Sequence, residues 1–351
     1  MKRLALVIVM ALAATAAAQE WHWELGVNGS WVTPNGFNMI DNSEWAGGID
    51  VAYARRIVGN DYGSMWRRFP TVGVRASFEF IPNGISGSRL GLAGVLRAPL
   101  WGRLDYSLAA GLSAFTRPRC ITHDTANIFI SSLLCCLIDV GLVYNISNRV
   151  ALTASFLHSS NGNFVFPNKG LNFLQMGLMC KLGPTDNIGS EGNPRDNIGH
   201  VPFFVRHEVG FTLSPGFAMS RHLGQEGLFF DYDISLNYRY YLNPIIATGV
   251  TVDLWYNGSH WQQLVWRDEP YYVPMYISAM LTLEGHWGPI SIGGGVGVPL
   301  VASSLVDIPM YERLGVYYNW GNNLVGVAIN AHGIKAEFIE WSYGRRFPIT
   351  R

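Results

Sequence analysis

Charge is scarce in this sequence: only 14% of its residues are Asp, Glu, Lys or Arg, and the two signs balance at 25 each. Without a basic excess there is no electrostatic footprint for nucleic acid, and that partner class is excluded. Cysteine is equally sparse, with Cys120, Cys135, Cys136 and Cys180 as its four positions. None forms a Cys-x-x-Cys pair, and adjacent Cys135 and Cys136 in a strand point to opposite faces, so no metal site is expected. A disulfide from Cys120 stays open beside the reading of free thiols. Long apolar runs are missing too. After the first 18 residues, nothing approaches the roughly 18 to 20 consecutive apolar residues of a membrane helix. His207-Glu208 lacks the second histidine of a His-Glu-x-x-His zinc motif. The run Gly293-Gly294-Gly295-Val296-Gly297 lacks nucleotide-loop spacing and reads as small residues that let a barrel wall curve.

Met1-Lys2-Arg3, the apolar stretch Leu4–Ala14 and Ala16-Ala17-Ala18 make a charged start, a hydrophobic segment and a small-residue cleavage site, so residues 1–18 are expected to be a signal peptide. The remainder is rich in Gly (39), Trp (12), Tyr (16) and Phe (18). Segment after segment alternates in the strand sense: Leu104, Tyr106, Leu108, Ala110 and Leu112 oppose Asp105, Ser107, Ala109, Gly111 and Ser113, and Ile277, Ala279, Leu281 and Leu283 oppose Ser278, Thr282 and Glu284. A soluble sandwich buries such apolar faces but does not call for so little charge or for aromatics at strand ends. The fold class is therefore all-β, an antiparallel transmembrane β-barrel with a lipid-facing apolar wall and a polar lumen.

A Gly-, Pro-, Asn- and Asp-rich stretch divides the mature chain into 19–183, a linker or loop 184–200, and 201–351. The halves are related: Gly141–His158 aligns without gaps on Gly315–His332, with identities that include Tyr144/Tyr318, Ala154/Ala328 and His158/His332. Each half has room for about eight strands. One large barrel is expected in preference to two small ones, because two would need two independent closures. In the second, degenerate half the alternation turns His332 and Asn330 into the lumen and Glu337, Ile339 and Trp341 outward. His332 and Glu337 are thus not expected to be partners.

Chemistry concentrates in the hairpin His158-Ser159-Ser160-Asn161-Gly162 and Pro167-Asn168-Lys169-Gly170-Leu171-Asn172. Leu152, Ala154, Phe156, His158 and Ser160 share one face of a strand, and Asn172 shares the corresponding face of the return strand with Leu174, Met176 and Leu178. Ester hydrolysis needs a nucleophile, a base, a group that fixes the base's tautomer and donors for the oxyanion. Ser160, His158 and Asn172 are candidates for the first three roles. Asn161, Asn168 and the backbone N–H of Gly162 are candidates for the fourth. Phe156, Phe164 and Phe166 are candidates to line an acyl groove, or equally to act as interfacial anchors.

Those same residues, His158-x-Ser160-Asn161 and Pro167-Asn168-x-Gly170, resemble the signature of the PagL-like lipid A 3-O-deacylases, over roughly residues 141–182. The resemblance implies a bacterial outer-membrane esterase that needs no cofactor. Its substrate would be lipid A within lipopolysaccharide, attacked on the lipid-facing wall, with His158 as base, Ser160 as nucleophile and Asn161 and Asn168 around the oxyanion. Two features depart from the pattern. Asn172 stands where familiar members carry Glu, and a second half is present. Both favour an alternative, a catalytically weak or inactive barrel that serves as a pore or accessory subunit of an outer-membrane complex.

Overall fold

The computed structural model describes residues 21–34, 43–59, 61–82, 86–118, 127, 129–165, 170–183, 194–198, 201–202, 204–222, 225–268, 275–301, 310–332 and 335–349. They form two compact units, each built on its own closed, antiparallel, eight-stranded barrel. Among the described residues no helix is long and apolar enough to cross a membrane.

In the first barrel every strand pairs with its successor from β1 (Trp21–Pro34) to β8 (Leu171–Leu182), and β8 returns onto β1 from Trp23↔Leu182 to Pro34↔Leu171. In the second, the strands run from β9 (His207–His222) to β16 (Lys335–Pro348), and β16 closes onto β9 from Ile339↔Phe217 to Pro348↔Glu208. The expectation of one large barrel is corrected here. Each half pairs its last strand with its first, so neither leaves the edges through which a single sixteen-stranded wall would have to pair with the other half, and each closes on its own.

The alternation read from sequence maps onto an apolar exterior. On β7 (Val150–Ser160) Leu152 and Phe156 are exposed while Ala151, Leu157 and Ser159 are buried, and on β8 Leu174, Met176 and Leu178 are exposed. Aromatics ring both ends of the first barrel, with Trp31, Trp45 and Phe80 exposed at the rim of long loops and Trp23, Tyr53, Trp101 and Tyr144 exposed at the rim of short turns. Such girdles flank the apolar band of membrane barrels.

The lumens are filled rather than open, as expected of eight strands. In the first, Arg97 grips Glu24 with two hydrogen bonds of 2.8 and 2.9 Å, and Arg75 pairs with Asp139. Nearer the long-loop rim an apolar plug takes over, with Phe115, Ile130, Leu137, Leu157 and Phe173 buried together. In the second, Arg313 meets Asp233 at 2.8 Å, Asp253 at 3.1 Å and Glu340 at 3.3 Å. These pairs satisfy polar groups that burial would otherwise strand at a cost of several kcal/mol.

Candidate active site

The β7–β8 ladder sets His158 directly opposite Asn172. Both lie on the outward parity of their strands, and His158 Nδ1 stands 2.7 Å from Asn172 Oδ1. An amide oxygen can only accept, so the bond is Nδ1–H to Oδ1, which leaves Nε2 with its lone pair. Ser160 follows two residues after His158 on the same side and is 3% exposed. Among the described residues no hydrogen bond joins Ser160 to His158, and in unliganded enzymes such contacts commonly tighten only with substrate. Behind this wall, Leu157 and Phe173 fill the lumen with no exposure at all. Each such side chain stabilises by about 2–3 kcal/mol and fixes the strands that carry the polar pair.

Backbone shape accounts for the glycines. Gly162 (φ +63°) and Asn163 (φ +70°) are both left-handed, and Phe164 N–H donates to Asn161 C=O at 3.4 Å, the pattern of a type I′ turn. Gly170 (φ +67°) lies against the imidazole: a Cβ there would come within 2.9 Å of His158 Cε1 and 3.1 Å of Ser160 Cβ. Its N–H donates to Phe129 C=O at 3.2 Å. The Pro-Asn-Lys-Gly segment thus ends on a glycine for both conformation and space. Sequence reasoning noted that glycine without its contact to His158.

Asn161 is buried, and its amide shapes the loop: Oδ1 accepts from Asn163 N–H at 3.0 Å and Nδ2 donates to Val165 C=O at 2.9 Å. Gly162 is buried beside it. Phe156 is 49% exposed on the outer wall, one outward position below His158, and Phe164 is half-buried in the loop. Asn168 and Phe166 lie outside the described residues. Cys136 on β6 (Leu134–Asn145) is in register with Ser160, a neighbour that spacing alone did not reveal. Cys135, Cys136 and Cys180 are free thiols.

The second barrel holds a cluster that the sequence reading placed wrongly. His332 on β15 (Asn323–His332) has Nδ1 2.6 Å from Glu337 Oε2, and Glu337 Oε1 lies 3.0 Å from His260 Nε2 and 2.7 Å from Asn257 Nδ2. A β-bulge makes the difference. The β15–β16 register steps from Asn330↔Phe338 to Ala331↔Ala336, leaving Glu337 as the extra residue and turning it inward against the strand's alternation. Trp341, expected to face outward, is 56% exposed, and Ile339 keeps the same parity opposite exposed Phe217 although it is covered to 6%.

Residues 203–349 match the family model described as acyloxyacyl hydrolase, C-terminal domain, and residues 107–180 match the one described as lipid A 3-O-deacylase (PagL). No curated protein matches the chain. Similar solved structures include a de novo designed transmembrane β-barrel, 14% identical over 46% of this chain and 95% of that one, with a TM-score of 0.26. A triple mutant of the Rh. blastica porin is 10% identical over 94% of this chain and 100% of its own, with a TM-score of 0.20.

Proposed function

We propose that this chain, which belongs to the PagL-like family, is an outer-membrane serine esterase that removes an ester-linked acyl chain from lipid A. The observation that carries the reading is the 2.7 Å bond from His158 to Asn172 with Ser160 on the same outward face. His158 Nε2 takes the proton of Ser160 Oγ as that oxygen attacks the acyl carbonyl. Asn172 holds the tautomer that makes Nε2 basic. The tetrahedral oxyanion is assigned to the backbone N–H of Gly162 with the amides of Asn161 and Asn168. Collapse returns the proton to the sugar oxygen, leaves an acyl-Ser160 ester, and water activated by His158 releases the fatty acid. An acyl chain lies along the lipid-facing wall, where Phe156, Phe164 and Phe166 are assigned to its groove. Catalytic groups on the outside of a barrel suit a substrate that is itself part of the membrane.

The pore form of the alternative has little support, since ion pairs and apolar side chains occupy both lumens. The accessory form keeps its two arguments, Asn172 in place of a carboxylate and the presence of a second barrel. The deciding comparison is the mass spectrum of lipid A from cells making the wild type or Ser160→Ala in equal folded amounts in the outer membrane. Loss of one acyl chain with the wild type alone is expected. Identical spectra, in a host whose lipid A carries the chain, sink the reading.

A further inference from the structure

The compact unit built on the second barrel takes in residues 161–168 as well as 201–351. Ser160 ends β7 in the first unit, and the chain passes into the second at the next peptide bond. The reason lies at one end of the β9–β16 seam. That ladder stops at Ile339↔Phe217, and two steps further in the same register Glu337 would face Met219. Glu337 is the bulged residue of β16, and a bulged residue leaves the regular ladder.

Asn163 fills that place. Its C=O accepts from Met219 N–H at 3.0 Å, and its Nδ2 donates to Glu337 C=O at 2.9 Å and to Met219 C=O at 3.4 Å. One residue of the turn thus supplies the acceptor and the donors that a neighbouring strand would give, and main-chain groups of both seam strands are satisfied. Asparagine suits the position, because it tolerates the left-handed backbone (φ +70°) while its amide can donate twice. Beside it Gly162 lies on Ile339: a Cβ at Gly162 would come within 2.2 Å of Ile339 Cδ1 and 2.5 Å of its Cγ1. That contact accounts for the burial of a side chain of outward parity.

We infer that Asn163 is a positioning residue for the esterase reaction, and that strands of the second barrel anchor the turn that follows the nucleophile. The inference rests on the deacylase reading. Gly162 N–H and the Asn161 amide, assigned there to the oxyanion, belong to a turn fixed at Met219, Glu337 and Ile339, and Asn161 Oδ1 is itself tied to Asn163 N–H at 3.0 Å. Preorganised donors act only where they already point at the developing charge, and a misplacement of about 1 Å costs about a hundredfold in rate. Asn163 acts through Gly162 and Asn161 rather than on the substrate. The first barrel closes on its own ladder, so what the anchor holds is the turn and not the barrel.

The test measures lipid A deacylation in detergent by the full chain, per molecule that folds by heat-modifiable gel mobility. It compares the wild type, Ser160→Ala and Asn163→Gly, the last of which keeps the left-handed backbone and its carbonyl but removes the amide. Asn163→Gly should lower kcat by at least about tenfold with KM changed by less than about twofold, and should speed hydrogen-deuterium exchange in the peptide that spans the turn. A second arm does not depend on Asn163. Gly162→Ala, whose methyl collides with Ile339, should lower kcat by a similar factor, and adding Ile339→Ala, which removes the colliding atoms, should raise it again by at least about threefold. Should either single variant fail to fold, the other arm decides. A wild-type kcat in folded Asn163→Gly, or a Gly162→Ala loss that Ile339→Ala does not relieve, overturns the inference while the deacylase reading stands on the inactivity of Ser160→Ala. A wild type no more active than Ser160→Ala overturns that reading and this inference with it.

Discussion

Asn172 is the residue on which the proposed chemistry of the first barrel turns. Its Oδ1 accepts from His158 as a carboxylate would, but a neutral amide would add no charge to stabilise the imidazolium that the proposed mechanism forms when Ser160 is deprotonated. Hydrogen bonds to charged groups exceed neutral ones by about 1–1.5 kcal/mol, so Asn172→Glu should raise the rate constant for lipid A deacylation about tenfold, and Asn172→Leu should lower it by more. Single-turnover assays on purified lipid A would separate this from changes in binding. Gly170 constrains the same imidazole from the other side. Gly170→Ala must strain a left-handed backbone and press Cβ on His158 Cε1, so activity should fall at least about tenfold even where the folded fraction is normal. The His-x-Ser and return-strand Asn could be paired from sequence because period two and hairpin connectivity set their faces. The glycine's contact was not legible, because it depends on how a loop folds back over the strand end.

At the scale of strands, two hairpins with related sequences differ in phase. In the first barrel the β6–β7 ladder pairs Asn145 with Ala151 and Ile138 with His158, while in the second Trp320 pairs with Asn323 and Glu312 with Ala331. Position 312 aligns with 138, so the structural counterpart of His158 is Ala331 rather than His332. A turn that alters the register by one residue moves every side chain to the other face. Alternation along β15 reported correctly that His332 faces inward. Alternation along β16 failed at Glu337, because a bulge inserts one residue without leaving a mark in the polarity pattern. Two imidazoles now share that carboxylate, and Glu337→Ala leaves both facing a half-buried wall without it. The expected cost is about 2–3 kcal/mol, seen as a lower urea midpoint for the second barrel, while lipid A deacylation per folded molecule is unchanged. A midpoint equal to the wild type's would show that the cluster contributes nothing to holding β15 and β16 together.

Closure is what defines the whole molecule. The all-β, antiparallel barrel class was readable from alternation and aromatic placement, because each is a local pattern. Which edges meet was not, since β1 pairing with β8 or β9 with β16 joins residues more than a hundred positions apart through a wall whose alternation looks the same in one barrel or two. The register from Trp23↔Leu182 to Pro34↔Leu171 leaves the first barrel with every edge satisfied by its own chain, and its lumen is neutralised by its own pairs such as Arg97 with Glu24. The second barrel is closed by its own ladder and balanced around Arg313. If closure and internal charge are both self-contained, residues 19–183 and 201–351 expressed as separate chains should each refold in detergent to a heat-modifiable β species. A first half that stays unfolded by circular dichroism alone, yet folds when joined to the second, would mean that closing the β1–β8 seam depends on the neighbouring half, and the self-sufficiency argued from the ladder would fail.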